Sequence, residues 1–592
     1  MDVTTFFKVR ALPSVDWTKM RLYFISMLPW DSMDGRNTTS FVRWPELKTK
    51  YNSNNQAPSG PASLKRKMKA EMSDEALKRF RSTDDDDDDD NINEEHANID
   101  DDDDRFMHGD GLSEEQRNIL DIVDSAEETA AAIDLPSLKK NVLKLERAIT
   151  KNEEMRVRFP DDPLKFIDSE ADLDQELHNL MGVSAAPELY PHLVQLGTIS
   201  SLLNLLEHPN TDIAIMTIRL LSELTDDDVV AEASEEGADG MKALVSNLLE
   251  HQILDVLVQS LSKLDESKEN SDDKQGVFNI LSVIENIVSV DPTVSEKVVS
   301  STTIMSWLLN RINTKQFDSN RQYASELLAI LLQTHRENRL ALINLGGVTT
   351  LLKVISAYRK KDAKDADEIE MMENFFDTLC STLGEKEGKT AFLEEEGVEL
   401  MIIILREKKM ARMRALKVLT HAMTGDGGSE CSDRFIEALG LKTLFPIFMH
   451  KGLKTYKKEY KAHVEKHVLS ILASLFKTAS PENRLRLSIK FTENNFEKVE
   501  RLMELHEQYA AKVLAADQQF ESNRLARNSD GEEEEEGNDI DTEEERYFNR
   551  LEKGLFTLQL VDLVCGFLCT EVSEDQVVRL FLSPRWVLKN YD

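Results

Sequence analysis

His463 and His467 stand one helical turn apart, the i, i+4 spacing at which two imidazoles can share a metal ion. Val464 occupies the position that a zinc-peptidase helix gives to its glutamate, and lysines crowd the stretch, so the pair reads as a solvated helix face. Gly425-Asp426-Gly427-Gly428 lacks the lysine and the preceding strand of a phosphate-cradling loop. No G-x-S-x-G elbow occurs. Cys565 and Cys569 lie one turn apart in an apolar stretch without a second Cys or His pair nearby, the pattern of core thiols rather than zinc ligands. With Cys380 and Cys431 they make four cysteines, too few for a disulfide framework, and they read as reduced and intracellular. These residues predict no enzyme, no cofactor and no metal site.

The residues that do point to a function are basic. Lys65, Arg66, Lys67 and Lys69 form one cluster and Lys78, Arg79 and Arg81 a second. Two such clusters at this separation fit a bipartite nuclear localisation signal, which an import receptor reads as an extended peptide. Residues 61–110 have few apolar side chains and dense charge, so they are expected to be disordered and to leave the signal accessible. The predicted location is the nucleus.

The chain of 592 residues carries a net charge of −37. The runs Asp84–Asp90, Asp100–Asp104 and Glu532–Glu536 supply seventeen of those charges, so the remainder of the chain is acidic too. An acidic body repels nucleic-acid phosphates and attracts basic protein segments, and basic patches with interleaved aromatics do not recur, so no direct nucleic-acid binding is expected. LKTYKKEYKAH, Leu453–His463, is the one exception and reads as a surface loop. No apolar run reaches the length of a membrane-spanning helix, and the N-terminal LYFISMLPW lacks the regions of a secretory signal.

The elements that must carry these features are repeated. The anchors Leu196-Gly197-Thr198-Ile199, Leu345-Gly346-Gly347-Val348, Glu396-Gly397-Val398 and Leu439-Gly440-Leu441 each precede a leucine-rich helix, with 50 residues from Gly347 to Gly397 and 43 from Gly397 to Gly440. Weaker copies sit near HQILDVLVQSL and TTIMSWLLNRI. Helical repeats of roughly 40–47 residues belong to the armadillo/HEAT class. The predicted fold is an all-α, armadillo/HEAT-like α-solenoid with a disordered acidic N-terminal region. Burying four leucines gains roughly 6–12 kcal/mol per helix, less than the cost of ordering its fifteen or so residues, so each unit depends on stacking. The expected organisation is an extension over 1–60, the charged region 61–110, a helical cap over 111–185 opened by Ser113 and Gln116, repeats over 186–515, an acidic linker over 516–545 and a C-terminal cap over 546–592. FPDDPLKF should break the helical pattern, and Arg359–Glu368 should form a charged loop.

Several long stretches resemble the beta-catenin-like family, nuclear armadillo-type proteins of the spliceosome. They are NTDIAIMTIRLLSELTD (Asn210–Asp226), EMMENFFDTLC (Glu370–Cys380), LREKKMARMRALKVLTHAM (Leu405–Met423), LGLKTLFPIFM (Leu439–Met449), FTENNFEKVERLMELH (Phe491–His506) and DTEEERYFNRLEKGLFTLQ (Asp541–Gln559). The resemblance covers roughly Leu112 to Gln559; residues 1–60 depart from the family pattern, and the chain reads as diverging and truncated after about Phe567. It implies a role in pre-mRNA splicing as a protein-binding scaffold, association with the Prp-nineteen complex through its Myb-type subunit, and binding of basic, localisation-type segments of splicing partners. A homodimer is compatible with it. The rival reading is a nuclear transport adaptor that carries cargo through the same basic-segment binding.

Armadillo proteins line their groove with the third helix of each repeat, where a W-x-x-x-N pattern supplies amide clamps. Aligned third helices here place Glu223, Asn286, Thr382, His421 and Ser474 at the Asn position; only Asn286 fits, and the Trp is absent from all five. Charge complementarity is the better mechanism, with Glu223, Glu285 and neighbouring carboxylates against Lys or Arg of a partner peptide.

Overall fold

Every helix-forming stretch of the repeat region owes its stability to a neighbour, and the computed structural model shows how. It describes residues 133–226, 234–267, 271–407, 409–451, 458–529 and 539–571, all within one of the chain's two units, Thr129–Asp592. The basic clusters at Lys65–Lys69 and Lys78–Arg81, the acidic runs and the Ser113–Gln116 helix start lie outside the described residues.

Among the described residues there are twenty-four α-helices and no strand. Helices α1 (Leu135–Arg158) and α2 (Ile167–Met181) pack together and open the array, separated by the break expected at FPDDPLKF. Six triads follow. The first is α3 (Tyr190–Gln195), α4 (Thr198–Leu205) and α5 (Thr211–Leu224). The second is α6 (Glu235–Glu250), α7 (Ile253–Leu261) and α8 (Ser271–Val290). The third is α9 (Val294–Ser301), α10 (Ile304–Ile312) and α11 (Ser319–Gln333). The fourth is α12 (Arg336–Asn344), α13 (Gly347–Ile355) and α14 (Ala366–Thr382). The fifth is α15 (Lys386–Glu394), α16 (Gly397–Glu407) and α17 (Arg412–Met423). The sixth is α18 (Gly428–Glu437), α19 (Gly440–Phe448) and α20 (Lys458–Thr478). Helices α21 (Pro481–Thr492), α22 (Glu497–Ser529), α23 (Asp539–Glu552) and α24 (Leu555–Glu571) close the described chain.

The long third helices form a column. Helix α2 packs on α5, α5 on α8, α8 on α11, α11 on α14, α14 on α17, α17 on α20 and α20 on α24. A helix in such a column has neighbours on both flanks, so its apolar residues must cover most of its circumference. Helix α11 shows the result: Tyr323, Ala324, Leu327, Leu328, Leu331 and Leu332 are all buried. One continuous apolar core runs from Leu138 to Leu568. Asx residues start several of these helices. The Asn210 and Asp318 side chains accept from the amides of Asp212 and Arg321, at 3.0 and 2.9 Å, and Asp365 accepts from the Glu368 amide at 2.8 Å; each such cap contributes about 1 kcal/mol.

The glycine anchors divide into two kinds. Gly197 and Gly346 adopt left-handed backbone, φ 74° and 71°, where an L side chain is strained. Gly347, Gly397 and Gly440 lie one position further on and do a different job: a Cβ there would come within 2.4, 2.3 and 2.4 Å of the buried side chains of Leu342, Phe392 and Phe435. The left-handed turn before Gly397 and Gly440 falls to Glu396 and Leu439, at φ 56° and 62°. Gln252, at φ 58°, performs the same turn in the weak copy before α7.

Three expectations change. The acidic linker expected over 516–545 is helical through Ser529 and again from Asp539, leaving only 530–538 outside the described residues. The reason is a clamp: the Asp517 carboxylate accepts from Arg546 at 3.0 Å and from Arg550 at 2.6 and 2.9 Å, holding α23 against α22. Lys458–His463 is not loop but the first turn and a half of α20. Of the charged insert Arg359–Glu368, Arg359 ends a short 3-10 helix, Ser356–Arg359, and only Lys360 to Asp365 is loop, with Asp365 capping α14. The Gly425–Gly428 loop receives an ammonium instead of a phosphate: buried Lys389 donates to the carbonyls of Thr424 and Asp426, the latter at 2.7 Å.

The paired positions at the last anchor should respond oppositely to substitution. Gly440→Ala is expected to lower stability by about 1–3 kcal/mol through overpacking on Phe435. Leu439→Gly relieves left-handed strain at an exposed residue and is expected to raise stability by up to about 1 kcal/mol. Urea unfolding followed by circular dichroism measures both; a destabilised Leu439→Gly would contradict the strain assignment.

Candidate protein-binding face

Each pair of adjacent third helices is joined at its outer edge by polar side chains. Ser222 of α5 and Ser282 of α8 are 3.0 Å apart. Asn320 of α11 donates to the Lys274 carbonyl of α8 at 2.9 Å. Gln322 of α11 donates to Glu370 of α14 at 3.0 Å, and Asn374 of α14 to Ser325 of α11 at 3.4 Å. From α17, Lys417 reaches Asp377 of α14 at 2.6 Å, and Arg414 reaches Glu373 at 2.5 Å. Thr420 and Thr424 of α17 approach His467 and Ser474 of α20 at 3.3 and 3.4 Å. These hydrogen bonds and ion pairs tie each third helix to the next.

The predicted binding residues fall on this edge. Glu223, Glu285 and Asn286 come together where α5 meets α8. Asn286 is buried, and its Nδ2 donates to Thr225 Oγ1 at 3.3 Å and to the Ser222 carbonyl at 3.4 Å. Its amide donor therefore joins two repeats of this chain. Glu223 and Glu285 are half-buried on the same edge, and both have interactions within the protein. Tyr190 reports the field there: burial raises its phenol, and the carboxylates of Asp226, Glu188 and Glu223 push it further. Thr382 is buried and donates to the Thr378 carbonyl at 2.8 Å, so it does not reach the surface. The array also holds a third helix that the five-fold alignment passed over. It is α11, whose corresponding residue is the partly buried Ile330.

Along the column the edge changes sign. Glu223, Glu285, Glu326, Glu370, Glu373 and Asp377 mark α5 to α14. Arg414, Lys417, His421, His463, Lys466 and His467 mark α17 and α20. His463 and His467 are not a shared solvated face: His463 is exposed while His467 is half-buried against Thr420. Burial holds the His467 imidazole down to about 4, helped by Lys466, His421, His463 and Lys417. Burial, then Lys417, also depresses His421, against the opposing pull of Asp377.

Burial pushes the Cys380 and Cys431 thiols up to about 12. Among the described residues no group of three His, Cys, Asp or Glu side chains is placed to hold a metal ion, and no single helix is long and apolar enough to cross a membrane.

Comparison with known proteins gives this arrangement its family. A family profile described as Catenin-beta-like, Arm-motif containing nuclear, matches residues 117–583, beyond the point near Phe567 where divergence was expected. Human beta-catenin-like protein 1 is 42% identical over 444 residues, covering 74% of this chain and 76% of the human one. The homologue from Schizosaccharomyces pombe is 36% identical over 469 residues, covering 78% of each. Among solved structures, a designed armadillo repeat protein in complex with a (KR)4 peptide matches at TM-score 0.35 and 16% identity, covering 46% of this chain and 98% of that one. The chain belongs to the beta-catenin-like family of Arm-motif nuclear proteins.

Proposed function

We propose that this protein is a non-enzymatic nuclear scaffold that binds basic segments of partner proteins along the acidic part of its third-helix edge, α5 to α14. The observation that carries the reading is that four adjacent third helices each carry a carboxylate, Glu223, Glu285, Glu326 and Glu370, stepping from the C-terminal end of α5 to the N-terminal part of α14. Successive helices in such a column stand about 8–10 Å apart, which an extended peptide crosses in about three residues. A basic segment that crosses the column obliquely therefore meets carboxylates on successive third helices. Each such exposed pair is worth about 0–1 kcal/mol, so affinity accumulates over several contacts and is salt-sensitive.

Membership of the beta-catenin-like family supports the finer reading: the partners are spliceosomal proteins, among them the Myb-type subunit of the Prp-nineteen complex, and the scaffold serves pre-mRNA splicing. Import into the nucleus is assigned to Lys65, Arg66, Lys67, Lys69, Lys78, Arg79 and Arg81. Affinity purification from nuclei tests the assembly. Co-purification of small nuclear RNAs with their proteins is the expected result, and shuttling through nuclear pores without them would favour the transport adaptor.

Two predictions follow from the charge mechanism and the signal. Binding of a labelled Lys/Arg peptide, measured by fluorescence anisotropy, should weaken about tenfold in Glu223→Lys/Glu285→Lys. It should also weaken steeply between about 50 and 500 mM salt, as the Debye length falls about threefold; salt-insensitive binding would replace ion pairing with apolar contact. A fluorescent fusion in which Lys65, Arg66, Lys78 and Arg79 are all changed to Ala should lose nuclear accumulation, and unchanged accumulation would remove the signal from these residues.

A further inference from the structure

We propose that the outer edge of α17 and α20 is a second docking surface, for an acidic segment of a partner protein that offers Asp and Glu carboxylates. The inference stands on the basic end of the column and does not require that the acidic end bind anything.

Lys417, His421, His463, Lys466 and Lys477 line this edge, and the hydroxyls of Thr424 and Ser474 lie between them. His463, Lys466 and Lys477 are exposed. The carboxylates nearest to these cations are already committed. Asp377 belongs to the seam with Lys417 at 2.6 Å, and Glu465 points inward, where it accepts from Arg501 at 2.8 Å and Tyr509 at 2.7 Å. Phe556 of α24 adds an aromatic rim, with the Lys466 ammonium 5.4 Å from its ring centre. In a chain of net charge −37, the exposed ammonium groups of Lys466 and Lys477 on α20, with Lys417 on the adjacent α17, are a local inversion of the protein's field.

His467 measures that inversion from inside. The groups that face it are Lys466 and His463 on its own helix and His421 and Lys417 on α17; all of them disfavour its protonation, as does burial, and its imidazole titrates only near 4. A carboxylate seated among them would reverse the sign of that effect and raise the value.

The chemistry favours a protein segment over nucleic acid. Glu370, Glu373 and Asp377 stand on α14, one helix away from the cations. A long polyanion following the edge would run onto them, whereas a short run of Asp and Glu ends before it reaches them.

Fluorescence anisotropy of a labelled (Glu-Asp)4 peptide with the full chain tests the proposal. Saturable binding is expected, about tenfold weaker in Lys466→Glu/Lys477→Glu, with binding of a Lys/Arg peptide undiminished and the melting temperature unchanged. In a histidine NMR titration, the His467 value should rise by roughly one unit on saturation with the acidic peptide. Absence of saturable binding, equal binding by the charge-reversed variant, or an unmoved His467 would overturn the proposal. So would a single-stranded RNA of equal charge that displaces the peptide at lower concentration. Replacement of Glu532–Glu536 by Gln is expected to leave the affinity unchanged; a tenfold gain would assign the surface to the chain's own acidic run and overturn it as well.

Discussion

A third helix in this protein is complete only when another third helix lies on each flank. Helix α11 has buried residues on nearly every side, and its two flanks are filled by α8 and α14. The constraint decides the rest of the architecture. The two shorter helices of each triad cover the remaining side, the caps at Asn210, Asp318 and Asp365 fix where three of the long helices begin, and the exposed polar residues fall on the edge the packing leaves open. That edge is the surface on which function must be built, because every other face of a third helix is core.

The turns between the short helices show how tightly the constraint acts. The turns at Gly346-Gly347, Glu396-Gly397 and Leu439-Gly440 each place a left-handed residue where the chain reverses and, immediately after it, a position crowded by a leucine or aromatic side chain from the preceding helix. Where both positions are glycine, as at Gly346-Gly347, neither demand is strained. Where only one is glycine, at Glu396-Gly397 and Leu439-Gly440, it occupies the packing position and the backbone strain is left on Glu396 and Leu439. A left-handed L residue costs about 1–2 kcal/mol, while a Cβ 2.3 Å from the Phe392 ring has nowhere to go in a close-packed core. At those two turns the packing term is the larger and decides where the glycine sits; at Gly197-Thr198 the single glycine takes the left-handed position instead.

The same logic explains what the sequence made legible. Apolar periodicity and the glycine anchors announced the all-α solenoid because they are local consequences of packing, and the long idiosyncratic stretches carried the family. The edge was harder to read. Asn286 looks like a free amide in the sequence, but its donor hydrogens are turned toward Thr225 and Ser222 from the preceding repeat, more than sixty residues earlier. The helix over 516–529 was hidden by its polar composition and by the acidic run that follows it, and it is held where Arg546 and Arg550 fold back onto Asp517. The division of the edge into two signs was written in the sequence as KMARMRALK and HVEKH, but only the column order places those cations beside one another and opposite the carboxylates of α14.

That order also settles where binding free energy is available. At the sign boundary, Glu373 and Asp377 face Arg414 and Lys417 and are satisfied by them, so a ligand charge arriving there would have to displace an ion pair and gain almost nothing. Away from the boundary the opposite holds. The Lys466 ammonium on α20 lies over the Phe556 ring, and the half-buried His467 stays neutral because of burial, helped by Lys466, His421, His463 and Lys417. A ligand charge placed at that end meets uncompensated field, whereas the seam contributes rigidity. The ion pairs visible in the structure therefore mark the part of the edge least suited to recognition, and the exposed like charges beyond them mark the part best suited to it.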